Sequence, residues 1–381
     1  LATGVTPRIP DVEGVDHPKV VTYLQVLGDK VQLTGSAAID ASGQAGGGTV
    51  LVRDRQVIAE GFTQRPGEPH AEAHAIRNAR GKGQDLSGAT AYVTLEPCNH
   101  FGKTPPCTEA LIGAGVGRVV AAMEDPNPRV SGTGFERLRE AGIDVRVGLL
   151  QQDATELNIG FIKRMATGLP WVRCKVAASI DGRTGLANGE SKWITGDEAR
   201  RDGHRWRARA CAVLTGSGTV KQDNPQMTVR GVSTPLPLRQ PLRVVFDHMG
   251  ELSPLAKVLQ GGALVYCSDH VAVGLPANVE VVRLPDPSNP GKIDLAATMQ
   301  DLGARGINEL HVEAGARLMG PLIAAGLVDE LLVYLAPKLL GRDAREMFSL
   351  AAPDKLADAI QFDLHDVSRV GDDVRVLLRS K

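Results

Sequence analysis

The sequence has no surplus of either charge: 43 Lys and Arg stand against 44 Asp and Glu, a formal net charge of −1. No broad basic field is therefore available for nucleic acid or an anionic membrane, although local basic clusters can still bind a phosphate on a small molecule. An apolar run of about 18 residues is also missing, as is a charged-then-apolar leader, so neither a membrane-spanning helix nor a secretory signal is expected. Five cysteines do not make a disulfide framework. Cys174, Cys211 and Cys267 fall in apolar, strand-like runs where buried free thiols are expected, whereas Cys98 and Cys107 lie in a polar, loop-like stretch. A reducing cytoplasm fits this usage. The chain opens on Leu1 rather than Met, so a natural start elsewhere is expected. Internal repeats and low-complexity segments are absent.

What is present is ordinary globular material: 381 residues, 43% hydrophobic and 23% charged, enough for two domains. From Thr49 the pattern alternates between strands and helices. Thr49–Arg53 and Gln56–Glu60 flank a tight Asp54–Arg55 turn and read as a hairpin. His70–Ala79, Cys107–Ala114 and Thr133–Ala141 read as helices, and Thr90–Leu95, Arg118–Glu124 and Ile143–Gly148 as strands. This predicts helices covering a mixed sheet. A connecting helix and turn over 151–168 lead to a second α/β pattern. Its strands are expected at Trp171–Ser179, Cys211–Thr215, Leu242–Asp247, Ala263–Cys267, Val279–Arg283, Asn308–Glu313, Asp329–Leu335 and Val374–Arg379, with helices at 197–209, 294–304 and 315–325. Stretches 231–241 and 284–292, rich in Pro, Ser and Gly, read as surface loops. The expected division is an atypical segment 1–40, a first domain 41–150, a linker 151–169 and a second domain 170–381.

His70-Ala71-Glu72 opens a helix, Pro97-Cys98 follows a strand, and a polar loop leads to Cys107. One imidazole and two thiolates suit Zn²⁺ with a fourth position left for water, whose pKa the metal lowers toward neutrality. Glu72, two residues from the histidine, is placed to shuttle protons without being a ligand. Each residue alone has an ordinary structural explanation, but the ordered set is that of a zinc deaminase. His74, one helical turn beyond His70, is assigned to packing.

Eight residues separate Cys98 from Cys107, unlike the Pro-Cys-x-x-Cys of nucleoside deaminases. The run Thr90–Cys107, with Glu124-Asp125-Pro126-Asn127-Pro128, closely resembles the deaminase half of the bifunctional riboflavin-biosynthesis deaminase–reductase family. The similarity continues through Lys175–Arg183, Gly189–Thr195, Leu214–Val220, Asp223–Arg230, Val312–Ala316 and Tyr334–Gly341, which resemble that family's reductase half. The resemblance implies a cytidine-deaminase-like zinc domain followed by a dihydrofolate-reductase-like domain. The implied work is hydrolytic deamination of a diamino-hydroxy-phosphoribosylamino-pyrimidine, then NADPH-dependent reduction of its ribosyl group to ribityl. Substrate positions match His100, Lys103, Lys175, Ser191, Arg207, Met227, Arg230 and Glu313. Cofactor positions match Ala177, Trp193, Thr219, Asp223 and the turn Gly315, Ala316, Arg317, Leu318, Met319, Gly320 and Pro321. Arg207 and Arg230 suit phosphate because guanidinium offers a bidentate fork. The turn after strand 308–313 brings small residues, a helix N-terminus and Arg317 together, without the G-x-G-x-x-G fingerprint of a Rossmann domain. The family resemblance also implies a homo-oligomer.

Several features depart from that family. His248 stands where it usually has Ser, and Thr63 where some members place His. Residues Ser42–Gly48 lack the Pro-Asn-Pro turn that supplies a substrate-positioning Asn. Residues 1 to about 36 instead resemble a short stretch of the dienoyl-CoA reductase family without its dinucleotide-binding glycines. A fused or rearranged N-terminus is expected, with impaired deamination. Two rival readings stand beside the leading one: a cytidine, guanine or tRNA adenosine deaminase, and a reductase carrying only a structural zinc module.

Overall fold

Two strands near the start of the chain, Tyr23–Leu27 and Lys30–Thr34, pair antiparallel. The computed structural model describes these two strands and residues 46–381, apart from 65–66, 103, 129, 233–238 and 271. The expectations for Lys103, for Ser42–Ala45 and for a dienoyl-CoA-reductase-like N-terminus therefore lie outside the described residues, apart from those two strands.

The first layer is a five-stranded sheet in the spatial order Gln56–Phe62, Gly48–Arg53, Thr90–Val93, Arg118–Ala121, Asp144–Val147. The hairpin closes through Asp54 and Arg55, both at positive φ (50° and 62°), a backbone twist that matches the flanking strands. The last three strands run parallel, so the chain crosses over through Cys107–Gly113 and Thr133–Glu140. Helix Ala71–Gly81 packs directly on the hairpin. A Cβ at Gly61 would meet the Ala71 carbonyl at 2.2 Å, so only glycine permits that approach. Leu51, Ala75, Val93, Leu111, Val119 and Leu138 fill the core between sheet and helices.

The second layer is a nine-stranded sheet with Trp171–Ser179 in its interior. On one side lie Glu309–Val312, Ala212–Gly216, Leu242–Phe246, Ala263–Cys267 and Val279–Arg283, all parallel; on the other lie parallel Glu330–Ala336 and the antiparallel pair Asp373–Ser380 and Phe362–Val370. The central strands are hydrophobic on both faces, as parallel strands buried between helices must be. Cys174, Cys211 and Cys267 are buried free thiols, as expected.

Three expectations need correction. Stretch 284–292 is not loop: Pro285–Asp286 and Asn289–Ile293 form a small hairpin. Its turn is closed by the Asp286 carboxyl, which accepts from Ser288 N at 2.8 Å and Ser288 Oγ at 2.6 Å. The connection is two helices, Gln151–Leu157 and Ile159–Thr167, divided at buried Asn158. Strand Phe362–Val370 and helix Ser217–Asp223 were not expected at all. The strand alternates few apolar residues because it is an exposed edge, and the helix is only seven residues long and opens on Ser, Gly and Thr.

The connecting helices are held by charge. Arg173, Glu309 and Glu330, at the N-terminal ends of three adjacent strands, are all at most 1% exposed and ion-paired. Arg173 stacks 4.4 Å from the Trp206 ring. Arg209 joins Glu309 at 3.0 Å, and Arg379 makes a fork with Glu156 at 2.7 and 2.6 Å. Lys163 binds Asp329 at 2.6 Å. The other face of the connection meets the first layer, where Ala154 and Ile162 pack with Leu95, Ala122 and Met123.

Candidate active sites

Two helix starts and one strand end converge in the first layer. His70 occupies the N-cap position of helix Ala71–Gly81, Cys107 opens helix Cys107–Gly113, and Cys98 lies in the loop beyond strand Thr90–Val93. His70 Nδ1 is 3.5 Å from Cys98 Sγ and 3.4 Å from Cys107 Sγ. One donor atom from each of the three lies within 4.8 Å of the others, the only such metal-capable group among the described residues. The donor set fits zinc. The partial positive charge of the two helix N-termini favours thiolate. Hydrogen bonding from Cys107, and then His70, drives the Cys98 thiol down to about 4, while hydrogen bonding to Cys98 and then burial drive Cys107 up.

Glu72 is 7% exposed beside this group. Burial is the main influence raising its carboxyl, followed by the charge on Cys98. His74 is elsewhere: its Nδ1 lies 3.3 Å from Phe62 N, its Nε2 3.1 Å from Gln64 Nε2, and its ring stands edge-on to Phe62 at 4.8 Å. Its assignment to packing agrees with that geometry. His100 is exposed on the loop between the two cysteines, next to Phe101, which is 82% exposed. Thr63 donates its backbone N–H to Gly47 O at 2.9 Å and closes the end of the hairpin.

Sequence reading missed Glu96. It is 3% exposed, and its two carboxyl oxygens accept four backbone N–H bonds from the segment Asp125–Phe135. The only sequence signal is an acidic residue inside an apolar strand end, which by itself does not identify its partners.

In the second layer the residues expected to meet substrate gather toward the C-terminal ends of parallel strands, the usual crevice of such sheets. Register pairs Val312 with Cys174, so Glu313 follows alongside Lys175. Arg207, from helix Asp197–Arg209, makes a fork with Glu313 at 2.7 and 2.8 Å and donates to Thr228 O at 2.6 Å. Much of its donor capacity thus faces protein. Burial, the largest influence, would raise Glu313, but Arg207 and then His311 hold it well below the usual carboxylate range. Burial lowers the Lys175 ammonium, against the opposing pull of Glu313. Lys175 Nζ lies 5.8 Å from the centre of the Tyr334 ring, whose hydroxyl donates to Asp202 at 2.7 Å. His204 is pushed down to about 4 by burial, then by Arg207 and Arg230.

The remaining expected residues divide by exposure. Ser191 is half-buried, and Arg230 is exposed, with its backbone N–H donating to His204 Nδ1 at 3.3 Å. The Met227 side chain is in the core, and its backbone is at positive φ (54°). Ala177 sits opposite Tyr334 in register. Trp193 is 63% exposed beneath the Arg200 guanidinium at 4.4 Å. Thr219 is half-buried on helix Ser217–Asp223, and Asp223 pairs with Lys192 at 3.3 Å. Within the 315–321 turn, Gly315, Arg317 and Pro321 are exposed, Ala316 and Leu318 half-buried, and Met319 and Gly320 buried. Gly315 caps helix Ala316–Ala324 with no side-chain bond, so the first N–H groups face outward. Exposed His248 accepts at its carbonyl from Ser268 Oγ at 2.5 Å.

Residues 170–376 match the family model of the RibD C-terminal domain, and residues 28–123 that of the cytidine and deoxycytidylate deaminase zinc-binding region. The riboflavin biosynthesis protein RibD of Escherichia coli strain K12 is 48% identical over 338 residues, covering 86% of this chain and 91% of that protein. The Haemophilus influenzae protein of the same name is 44% identical, covering 88% and 91%. Among solved structures, Acinetobacter baumannii RibD form 1 superposes with a TM-score of 0.79 at 40% identity, covering 90% of this chain and 96% of that one. A Thermotoga maritima diaminohydroxyphosphoribosylaminopyrimidine deaminase/5-amino-6-(5-phosphoribosylamino)uracil reductase superposes with a TM-score of 0.80 at 34% identity, covering 90% and 95%.

Proposed function

This chain belongs to the RibD family of bifunctional riboflavin-biosynthesis enzymes, and from that premise we propose how its residues divide the work. A zinc-binding deaminase half precedes a reductase half that uses a nicotinamide cofactor, and both act on small pyrimidine substrates. The readings of a lone nucleoside deaminase and of a reductase with a merely structural zinc module give way to this one.

His70, Cys98 and Cys107 hold the zinc, which when bound supplies a Lewis acid that makes water a nucleophile near neutral pH. Glu72 takes a proton from the attacking water and returns one to the amino group, so the ring carbon gains oxygen and ammonia leaves. Exposed His100 meets the phosphoribosyl group, and Lys103 is assigned the same role from its position in the sequence alone. In the second half the cofactor is NADPH, which supplies hydride to the ribose carbon. A proton must reach the ring oxygen as that carbon–oxygen bond opens, and Lys175 is its donor. Arg207 fixes Glu313 beside Lys175, while Arg230, Ser191 and the Met227 backbone hold the substrate. Ala177, Trp193, Thr219, Asp223 and the 315–321 turn receive the cofactor, its phosphates meeting the open helix start and Arg317.

The domain division also needs adjusting. Helices Gln151–Leu157 and Ile159–Thr167 go with the reductase half, because Leu157 lies in its core and Gly160 abuts Asn308. Self-association is assigned to the edge strand Phe362–Val370, where Leu364 is 65% and Val367 54% exposed. Among the described residues no helix is long and apolar enough to cross a membrane, and the free thiols favour a reducing cytoplasm.

The observation that carries the two-step reading is a metal-capable His–Cys–Cys group with a buried carboxyl beside it, on the same chain as the Lys175–Glu313–Arg207 cluster. Measuring ammonia release and NADPH oxidation separately on the purified chain tests it. NADPH oxidation is expected at full rate and ammonia release at a reduced one, because the Pro-Asn-Pro turn is missing; a chain that oxidises NADPH but binds no zinc and releases no ammonia removes the deaminase assignment.

A further inference from the structure

Cys98 is bracketed on both sides by contacts to a single segment. Before it, Glu96 Oε2 accepts from Asp125 N at 3.2 Å and Gly132 N at 2.9 Å, and Oε1 accepts from Gly134 N at 2.8 Å and Phe135 N at 3.3 Å. A Cβ placed on Gly134 would stand 2.1 Å from the Pro97 carbonyl, so the segment is pressed against the residue adjoining Cys98. After it, Asn99 Nδ2 donates to Thr133 O at 3.3 Å while its Oδ1 accepts from Thr108 Oγ1 at 3.0 Å. The described residues of segment Asp125–Phe135 therefore form a wall against the residues flanking Cys98, fastened at Asp125 and Gly132–Phe135 chiefly by one side chain. The cysteine has its own support: Cys107 N donates to Cys98 Sγ at 3.4 Å, a contact that does not pass through Glu96.

We infer that Glu96 is a positioning residue for deamination, holding the wall Asp125–Phe135 against the zinc site so that the pyrimidine substrate is seated. Resting on the deaminase reading above, the inference adds a residue that touches neither metal nor reacting atoms. A buried carboxyl that accepts four main-chain bonds fixes a loop far more firmly than the loop's own turns can. Glutamine has nearly the same shape but replaces one acceptor oxygen with an NH₂ donor, which would oppose two of those N–H groups.

The test compares Glu96→Gln, Gly134→Ala and the double variant in the full chain. These attack the same contact from opposite sides. Zinc content should stay at one per chain, and NADPH oxidation with deaminated substrate should be unchanged. The KM for ammonia release should rise roughly 10- to 100-fold, the scale of a displaced positioning group. The double variant should be little worse than the poorer single one, because both remove one interaction. Loss of zinc would make Glu96 a prop for Cys98 and overturn the inference, as would an unchanged KM or additive effects. Amide exchange at Gly132 and Gly134 provides a readout independent of activity: slow in the parent and selectively accelerated in Glu96→Gln. If the parent releases no ammonia, the deaminase assignment falls first, and the positioning role falls with it; the exchange data then show only whether Glu96 holds the wall.

Discussion

The two sites are built in opposite ways. The zinc group spans only 37 residues between His70 and Cys107, and its donors come from helix starts and a loop. The reductase cluster joins Arg207 to Glu313 across 106 residues and depends on strands that become neighbours only when the sheet is complete. The first site is a local constellation that a metal can hold together; the second is a product of topology, held by buried charge. Damage to one should therefore read out as lost chemistry, and damage to the other as lost structure.

The largest effect expected is that of Glu72→Gln, which should lower ammonia release about 10²- to 10⁴-fold while zinc content and NADPH oxidation stay intact. Zinc loss in that variant would show the carboxyl to be a ligand. Next comes removal of the connecting helices. A chain beginning at Pro170 loses buried Leu157 and Phe161, each worth about 1.5–3 kcal/mol, and strips Glu156 from Arg379. It should melt well below one beginning at Gln151, whose reductase rate should match the parent. Equal melting temperatures would return the boundary to residue 170. Arg207→Ala leaves Glu313 without its fork and should cost roughly 3 kcal/mol, with reductase activity falling alongside. Because Glu313 is depressed in the folded protein from its ordinary 4.5, the parent pair contributes fully above that pH and is lost as pH falls through the lower folded value. The variant should lack that acid-side slope, and chemical denaturation between pH 3 and pH 6 would detect it. The smallest effect belongs to His74→Ala: about 1 kcal/mol from the lost edge-on contact, with zinc and ammonia release preserved. A fall in zinc occupancy would place His74 in the metal site after all.

The same contrast explains what the sequence made legible. His70, Glu72, Cys98 and Cys107 could be found by spacing because their chemistry is rare in that order. Strands such as Trp171–Ser179 and Ala263–Cys267 were equally readable as apolar runs between turns. Glu96 was not, since four of its partners are main-chain amides that any sequence supplies. The Arg207–Glu313 fork was also hidden: each residue was read as facing substrate, and only the packing of helix Asp197–Arg209 beside the end of strand Glu309–Val312 brings them face to face. The exposed edge Phe362–Val370 escaped because its residues do not alternate cleanly between core and solvent.

Strand order also carries a consequence for synthesis. Trp171–Ser179 is the first strand of its sheet to leave the ribosome, yet its two neighbours, Glu309–Val312 and Glu330–Ala336, come more than a hundred residues later. Strand Asp373–Ser380 must then slot between Glu330–Ala336 and Phe362–Val370. The first layer closes among neighbours close in sequence and can acquire its metal while the rest of the chain is still being made. The second layer must wait with its interior apolar strand uncovered, so within one polypeptide the deaminase half can close early while the reductase half depends on strands made about two hundred residues after its first.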